Sequence, residues 1–308
     1  MICGCRIMLR SVPQTRNVRQ LCRLLRCKKS YLLHICAHTD CYYREFTDKG
    51  RPIAEPLGQL RVLQQRLQYL LAEIDLPEYM HGGVKGRSPV TNAHLHVGKA
   101  AVLNFDIKQF FPSVKPRYVY KMFYKHLRFP ADVAHRLTKL VTFKGQLPQG
   151  APTSTVVANL VILPLCRRLK LLSTKHNSDY GQFVDDGTLS GPLYLENLRS
   201  LIEKIIRQEG FQASPKPHKR KTRYYWEEQC VNGVRVNKRI GVPQDKLYQI
   251  QDQIRSLQNR SRNACFEKEY RSIRGRITWA MSLDKKKGRK LMQKLNSAVH
   301  SGPQRHLL

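Results

Sequence analysis

Three aspartates hold the chemistry available to this sequence. Asp185 and Asp186 stand side by side behind the run Tyr180-Gly181-Gln182-Phe183-Val184, and Asp106 ends a second alternating run, Val102-Leu103-Asn104-Phe105-Asp106. Gly187-Thr188-Leu189-Ser190 can return as the partner of 180–184, which puts the acid pair at the tip of a hairpin. Carboxylates gathered at strand ends repel one another and lose hydration, so a set of three calls for cations. Two divalent ions about 3.5–4 Å apart, clamping an attacking and a leaving oxygen, are the known use of such a set. Taken alone, Asp185-Asp186 reads more readily as the close of a solvated turn, where acids are common.

The elements that must position these acids follow from apolar spacing. Leu60, Leu63, Leu67, Leu70, Leu71 and Ile74 form one helical stripe. Val119, Met122, Phe123 and Leu127, then Val133, Leu137 and Leu140, predict two helices parted at Phe129-Pro130. Pro152 fits the first turn of a buried helix through Val156, Leu160 and Leu163. An amphipathic helix is expected from Leu193 to Arg207, stopped by Gly210. Val231 to Asn237 alternates and is expected to pair with Tyr224-Tyr225-Trp226, and three helices follow from Asp245, broken near Arg260 and Asp284. A hairpin embedded among helices is an α+β arrangement, not a parallel α/β sheet.

Composition narrows the partner. The 308 residues carry 55 Lys and Arg against 22 Asp and Glu, a formal net charge of +33. Such an excess points to a polyanion, and no stretch reaches the roughly 18 unbroken apolar residues of a membrane span, so nucleic acid is expected and a membrane is not. Nine cysteines at irregular spacing suggest free thiols in a reducing cytoplasm. Residues 2–9 are too short, and too interrupted by Arg6, for a secretory signal. Cys22, Cys27, His34, Cys36, His38 and Cys41 do not have the close Cys spacing of structural zinc sites and are expected to be packing or surface positions.

The neighbours of the acids carry a resemblance. Phe105-Asp106-Ile107-Lys108-Gln109-Phe110-Phe111-Pro112-Ser113-Val114 resembles the first catalytic motif of reverse transcriptases, Leu147-Pro148-Gln149-Gly150-Ala151-Pro152-Thr153-Ser154 their template- and primer-gripping segment, and Phe183-Val184-Asp185-Asp186 their aromatic-x-Asp-Asp box. The three occur in the family's order. Asn92-Ala93-His94-Leu95-His96 and Val231-Asn232-Gly233-Val234 resemble elements of the retron-type branch, the second with Asn and Val where Thr and Leu are usual. His96 is expected to be a core residue without a catalytic role.

The resemblance implies a right-hand polymerase with fingers, palm and thumb: a basic helical segment over 1–46, fingers and palm over 47–230, and the palm edge with a helical thumb over 231–308. It implies RNA-templated DNA synthesis with two Mg²⁺ ions, Mn²⁺ being the natural substitute. Asp106 and Asp185 would bridge the ions and Asp186 support them. By the same match Arg51 and, less directly, Lys49 would hold the nucleotide triphosphate. Phe111 would face its sugar, Gln149 would touch the nucleotide or template, and Lys221 would lie near the leaving pyrophosphate. Gly150 would let the backbone approach a base pair, and Phe183 would serve as a ring platform in place of the common tyrosine. Gly82-Gly83-Val84-Lys85-Gly86-Arg87-Ser88 could cradle phosphates as a basic glycine loop. The implied partners are deoxynucleoside triphosphates, a structured noncoding RNA with its DNA product, and an effector protein of an antiphage unit. Arg235, Arg255, Arg260 and Arg262 are the candidate RNA readers. A group II intron-like or other defence-associated reverse transcriptase would share this core. A noncatalytic RNA-binding scaffold on the same fold is the alternative from another class, and the presence of all three acids argues against it.

Overall fold

The computed structural model describes residues 15–216, 220–258 and 264–300. Two short helices, α1 (Val18–Leu24) and α2 (Lys29–Ala37), begin it. Asn17 caps α1 by accepting from the Gln20 N–H. Strands β1 (Tyr43–Asp48) and β2 (Arg51–Pro56) then form a hairpin that the apolar spacing did not predict. The reason is composition: β1 is exposed along nearly its whole length, and Pro52 and Pro56 argue against a strand that in fact lies at an edge. Lys49 and Gly50 both have positive φ, 48° and 75°, as a tight two-residue hairpin requires.

Helix α3 (Gly58–Ala72) buries the leucine stripe, and α4 (Pro89–His94) opens with a capping box between Ser88 and Thr91. Strand β3 (Ala101–Asp106) leads into the short α5 (Phe110–Ser113) and α6 (Pro116–Lys121), which widens to a π turn at Met122–His126 before α7 (Ala131–Val141). Helix α8 (Ser154–Lys175) is buried through most of its length. It starts two residues after Pro152, so that proline lies ahead of the helix and not in its first turn. The hairpin β4 (Asp179–Phe183) and β5 (Asp186–Gly191) follows, then a 3₁₀ turn at Leu193–Leu198 running into α9 (Arg199–Gln208).

Strand β6 (Thr222–Tyr224) pairs with β3, not with the segment after it. That segment instead forms its own small hairpin, β7 (Cys230–Val231) with β8 (Val234–Arg235), turned by Asn232 and Gly233 at positive φ. The free edge of β3 offers a row of backbone partners that the two-residue β7 cannot match. Helices α10 (Gln244–Gln258), α11 (Ala264–Leu283) and α12 (Lys285–His300) end the described chain, and no described helix is long and apolar enough to cross a membrane.

The main sheet runs β4-β5-β3-β6, all antiparallel. One apolar core extends from Leu21 of α1 through the sheet to Phe211, so α1 and α2 share it. A second core joins α10, α11 and α12.

Behind β4 lies a buried polar pair. Gly181 has no room for a Cβ, which would lie 2.0 Å from Asn92 Oδ1 and 2.8 Å from His96 Nε2. Asn92 Nδ2 donates to Asn232 Oδ1 at 2.5 Å, and His96 Nδ1 is 2.7 Å from Ser190 Oγ. The Asn-Ala-x-x-His element thus ties α4 to β5 and to the β7–β8 turn, a structural use consistent with the expectation for His96. Burial pushes the His96 imidazole down to about 3, by desolvation of the charged ring. The folded pKa lies below the unfolded one, so this contribution is complete above about pH 6.5 and drains away as pH falls. Going from pH 7 to pH 5 should cost on the order of 2 kcal/mol through this ring. Denaturant unfolding at the two pH values tests it: His96→Gln should start less stable yet lose less between them.

Candidate active site

The acids meet because β5 lies between β4 and β3. In the register, Asp106 stands opposite Asp186, and Phe183 opposite Asp186 from the other side, with Val184-Asp185 as the connecting turn. One carboxylate oxygen from each of Asp106, Asp185 and Asp186 lies within 4.8 Å of the others, and among the described residues this is the one such convergence of potential metal ligands. Asp106 is buried and the other two are half-buried. Three hard oxygen donors at this spacing could hold a divalent cation.

Backbone bonds clamp the end of β3 from both sides. The Ile107 N–H donates to the Asp185 carbonyl at 3.1 Å, and the Ser214 N–H donates to the Asp106 carbonyl at 2.7 Å. Lys108 N–H donates to Gln212 O at 2.8 Å, so segment 212–214 flanks the site opposite the acid turn.

The turn is strained. Val184 has φ 55°, a left-handed conformation that a β-branched residue adopts only when its surroundings enforce it. Gln182 supplies part of that enforcement: its Nε2 donates to the Val184 carbonyl at 2.9 Å, and its Oε1 accepts from the Tyr180 hydroxyl at 2.6 Å. Gly82 supplies another part, since a Cβ there would lie 2.5 Å from Val184 N. Sequence reasoning missed both roles. The signal for Gln182 was a polar residue in an apolar strand; Gly82 was read as part of a phosphate cradle. In that loop Arg87 is spent internally, donating to the carbonyls of Leu76, Pro77 and Met80.

The remaining candidates fall in several places. Lys49 sits at the tip of the β1–β2 hairpin and Arg51 beside it, both exposed. Gln149 accepts at its carbonyl from Ala54 N–H at 2.8 Å, and Gly150, with φ 113°, packs where a Cβ would lie 2.7 Å from Ile53. A recess of about 380 Å³ brings Phe46 and Ile53 of the hairpin together with Pro112 and Gln149. Phe111 is half-buried, its ring 5.6 Å from that of Phe110, in a helix entered through Gln109 at φ 45°. Phe183 is half-buried at the end of β4. Lys221 Nζ is 3.5 Å from Glu227. Arg235 lies on β8, its guanidinium over Gly241. Arg255 lines a groove with Lys290 and Lys294 between α10 and α12, while Arg260 and Arg262 lie outside the described residues.

The comparisons bear on this arrangement. No protein-family model matches the chain. The Retron Ec86 reverse transcriptase of Escherichia coli is 26% identical over 91% of this chain and 89% of its own length. The Retron Mx65 reverse transcriptase of Myxococcus xanthus is 33% identical over 64% of this chain and 50% of its own, and the Retron Se72 reverse transcriptase of Salmonella heidelberg 35% identical over 46% and 38%. Over most of its length the chain is thus similar to a retron reverse transcriptase. It spans half or less of the length of the last two relatives. Among solved structures, a telomerase from Candida albicans overlays with a TM-score of 0.47 at 11% identity, over 85% of this chain and 55% of that one. The α+β arrangement expected from the sequence is the one observed, an antiparallel sheet embedded among helices.

Gly187 offers a direct test of how the acids are spaced. A Cβ there would lie 2.0 Å from the ring of Phe105, the residue before Asp106. Gly187→Ala should destabilise the fold by about 1–3 kcal/mol in denaturant unfolding. Gly275→Ala, on α11 with open space around it, should instead stabilise by up to about 1 kcal/mol.

Proposed function

We propose that the chain is an RNA-directed DNA polymerase of the retron type, extending a primer on a structured noncoding RNA. One observation carries the reading: three aspartates from β3 and the β4–β5 turn converge within 4.8 Å in a chain whose relatives are named retron reverse transcriptases. The substrates are deoxynucleoside triphosphates, and the partners are that RNA, its DNA product and an effector protein.

Asp106, Asp185 and Asp186 would hold two Mg²⁺ ions, Asp106 and Asp185 as the main ligands and Asp186 in support. When bound, such ions supply the Lewis acidity that eases deprotonation of a primer hydroxyl and neutralises a leaving pyrophosphate. The chain's own part is to hold the acids rigid before substrate arrives. The pairing of β3 with β5 does this, with the Ile107–Asp185 backbone bond closing the gap between strand end and turn. Arg51 and Lys49, on an exposed hairpin, would hold a triphosphate, and a guanidinium suits phosphate through its fixed fork of donors. Lys221 would swing from Glu227 to the departing pyrophosphate. Gln149 borders the recess under the hairpin; it and Gly150 would line the nucleotide, while Phe183 would support the primer end. Arg235 on the small hairpin and Arg255 on α10 would read the RNA, together with Arg260 and Arg262. The division into fingers, palm and thumb at residues 46/47 and 230/231 belongs to the same proposal.

Two substitutions test the reading. Asp185→Asn keeps the shape of the turn and removes a charge, so primer extension should fall by about a hundredfold or more while RNA binding and thermal stability stay near those of the unmodified chain. Extension at near the original rate would sink the metal assignment. Phe111 is proposed to stand against the 2′ carbon of the nucleotide, where its ring rejects a hydroxyl. Phe111→Val should raise ribonucleotide use relative to deoxynucleotide by roughly tenfold or more; an unchanged ratio in a folded, active variant would move the gate to another side chain.

A further inference from the structure

At the end of β3 remote from Asp106, the chain presents aromatic rings to solvent beside a basic recess. Tyr224 pairs with Ala101, and Tyr225 N–H donates to Ala100 O at 2.9 Å, so these residues lie at the start of β3. At about 3.3 Å per strand residue, Ala101 is roughly 17 Å from Asp106. Tyr225 and Trp226 are each 63% exposed. They are nevertheless ordered. The Trp226 ring stacks on Tyr224 at 4.9 Å and 14° and meets Tyr225 edge-on. Asn237 Nδ2 donates to the carbonyls of Tyr225 and Glu227, and Glu227 accepts from Tyr224 N–H. The platform is built from hydrogen bonds and not from burial, which leaves the outer ring faces open.

Beside it opens a recess of about 800 Å³ lined by Lys99, Tyr225, Arg235, Asn237, Lys238 and Arg239. Lys99 is neutralised by Asp179 at 2.5 Å. The nearby acids are also engaged, Glu227 with Lys221 and Glu228 with Gln244 N–H. Among the described residues no carboxylate pairs with Arg235, Lys238 or Arg239. Ordered, exposed aromatic faces next to unpaired cations suit one kind of occupant. Bases that are not stacked on each other offer π-faces, and their phosphates offer negative charge. A duplex hides its base faces, and an apolar protein surface would leave the cations without partners.

We propose that this recess is a second nucleic-acid site, holding an unpaired RNA segment by stacking on Tyr225 and Trp226 and by phosphate contacts to Arg235, Lys238 and Arg239. The proposal rests on the polymerase reading, which supplies a structured RNA with unpaired stretches, and it places part of that RNA outside the catalytic cleft.

The chain has two tryptophans, Trp226 and Trp279, so Trp279→Phe leaves Trp226 as the sole reporter. Titration with a twelve-nucleotide adenine RNA should quench Trp226 fluorescence saturably, and a blunt duplex of equal length should not. By fluorescence anisotropy on the otherwise unmodified chain, Tyr225→Ala should weaken the short RNA by about tenfold, and Tyr225→Phe, which keeps the ring, should restore most of it. Lys238→Gln with Arg239→Gln should lower the salt slope of single-strand binding by about 1.4. The proposal is overturned if the duplex quenches equally, or if Tyr225→Ala binds the RNA as the unmodified chain does; the latter would leave the rings as a docking face for a protein. Extension of a preannealed primer–template by the unmodified chain is measured in parallel. No extension with the Trp226 response intact overturns the polymerase reading alone; extension without that response overturns this proposal alone.

Discussion

The antiparallel register between β3 and β5 is the constraint on which the rest of the molecule depends. It sets Asp106 against Asp186, and because side chains alternate along a strand, a slip of one residue would turn one acid away from the other. Much of the surrounding detail serves to prevent that slip. Gly187 yields its side-chain volume to the Phe105 ring, and Thr188 Oγ1 donates to Asn104 Oδ1 at 2.9 Å, one step further from the acids. Asn104 in turn donates to Cys230 O at 3.0 Å, which ties the small β7–β8 hairpin to the same register. The strain at Val184 is affordable only because Gln182 and Gly82 hold the turn from either side.

The electrostatic setting is one of opposites. Three acids converge in a chain with a net charge of +33. Long-range attraction draws a polyanion towards most of the surface, whereas the aspartates make one small region where phosphate is welcome only with cations between. Charge at a distance is screened within about 8–10 Å at ordinary ionic strength, so the basic exterior governs encounter and the acids govern what happens on contact.

How much of this was legible in the sequence varied with the physics of each element. The β3 and β4–β5 strands were readable because each has a buried face and an acid at its end, and the helices because each stripe faces one of the two cores. The β1–β2 hairpin was not, since a strand solvated on both faces leaves no alternation and its prolines point the wrong way. Nor was the pairing of β6, because a strand's nearest neighbour in sequence competes with a distant edge, and here the distant edge of β3 won. The acids themselves were suggested by residue type and spacing and singled out by the resemblance that their flanking motifs carry. Their supports were not: Gln182, Gly82 and Gly187 act through close approaches between segments far apart in sequence, and spacing carries no record of these.

The connectivity of the sheet also dictates when it can exist. The side chains of Asn104 and Thr188 that join β3 to β5 are 84 positions apart, those of Asn92 and Asn232 are 140 apart, and the helical core of α10 to α12 comes later still. Closing such long loops before their contacts reward it makes folding slow. During synthesis the first acid therefore emerges well before either of its companions, with β3 bare on both edges until β5 and β6 follow. A ribosome-bound intermediate of this chain would display an apolar, unpaired strand, a natural client for chaperones, and the acidic centre would take shape only once β5 has followed β3 out of the ribosome.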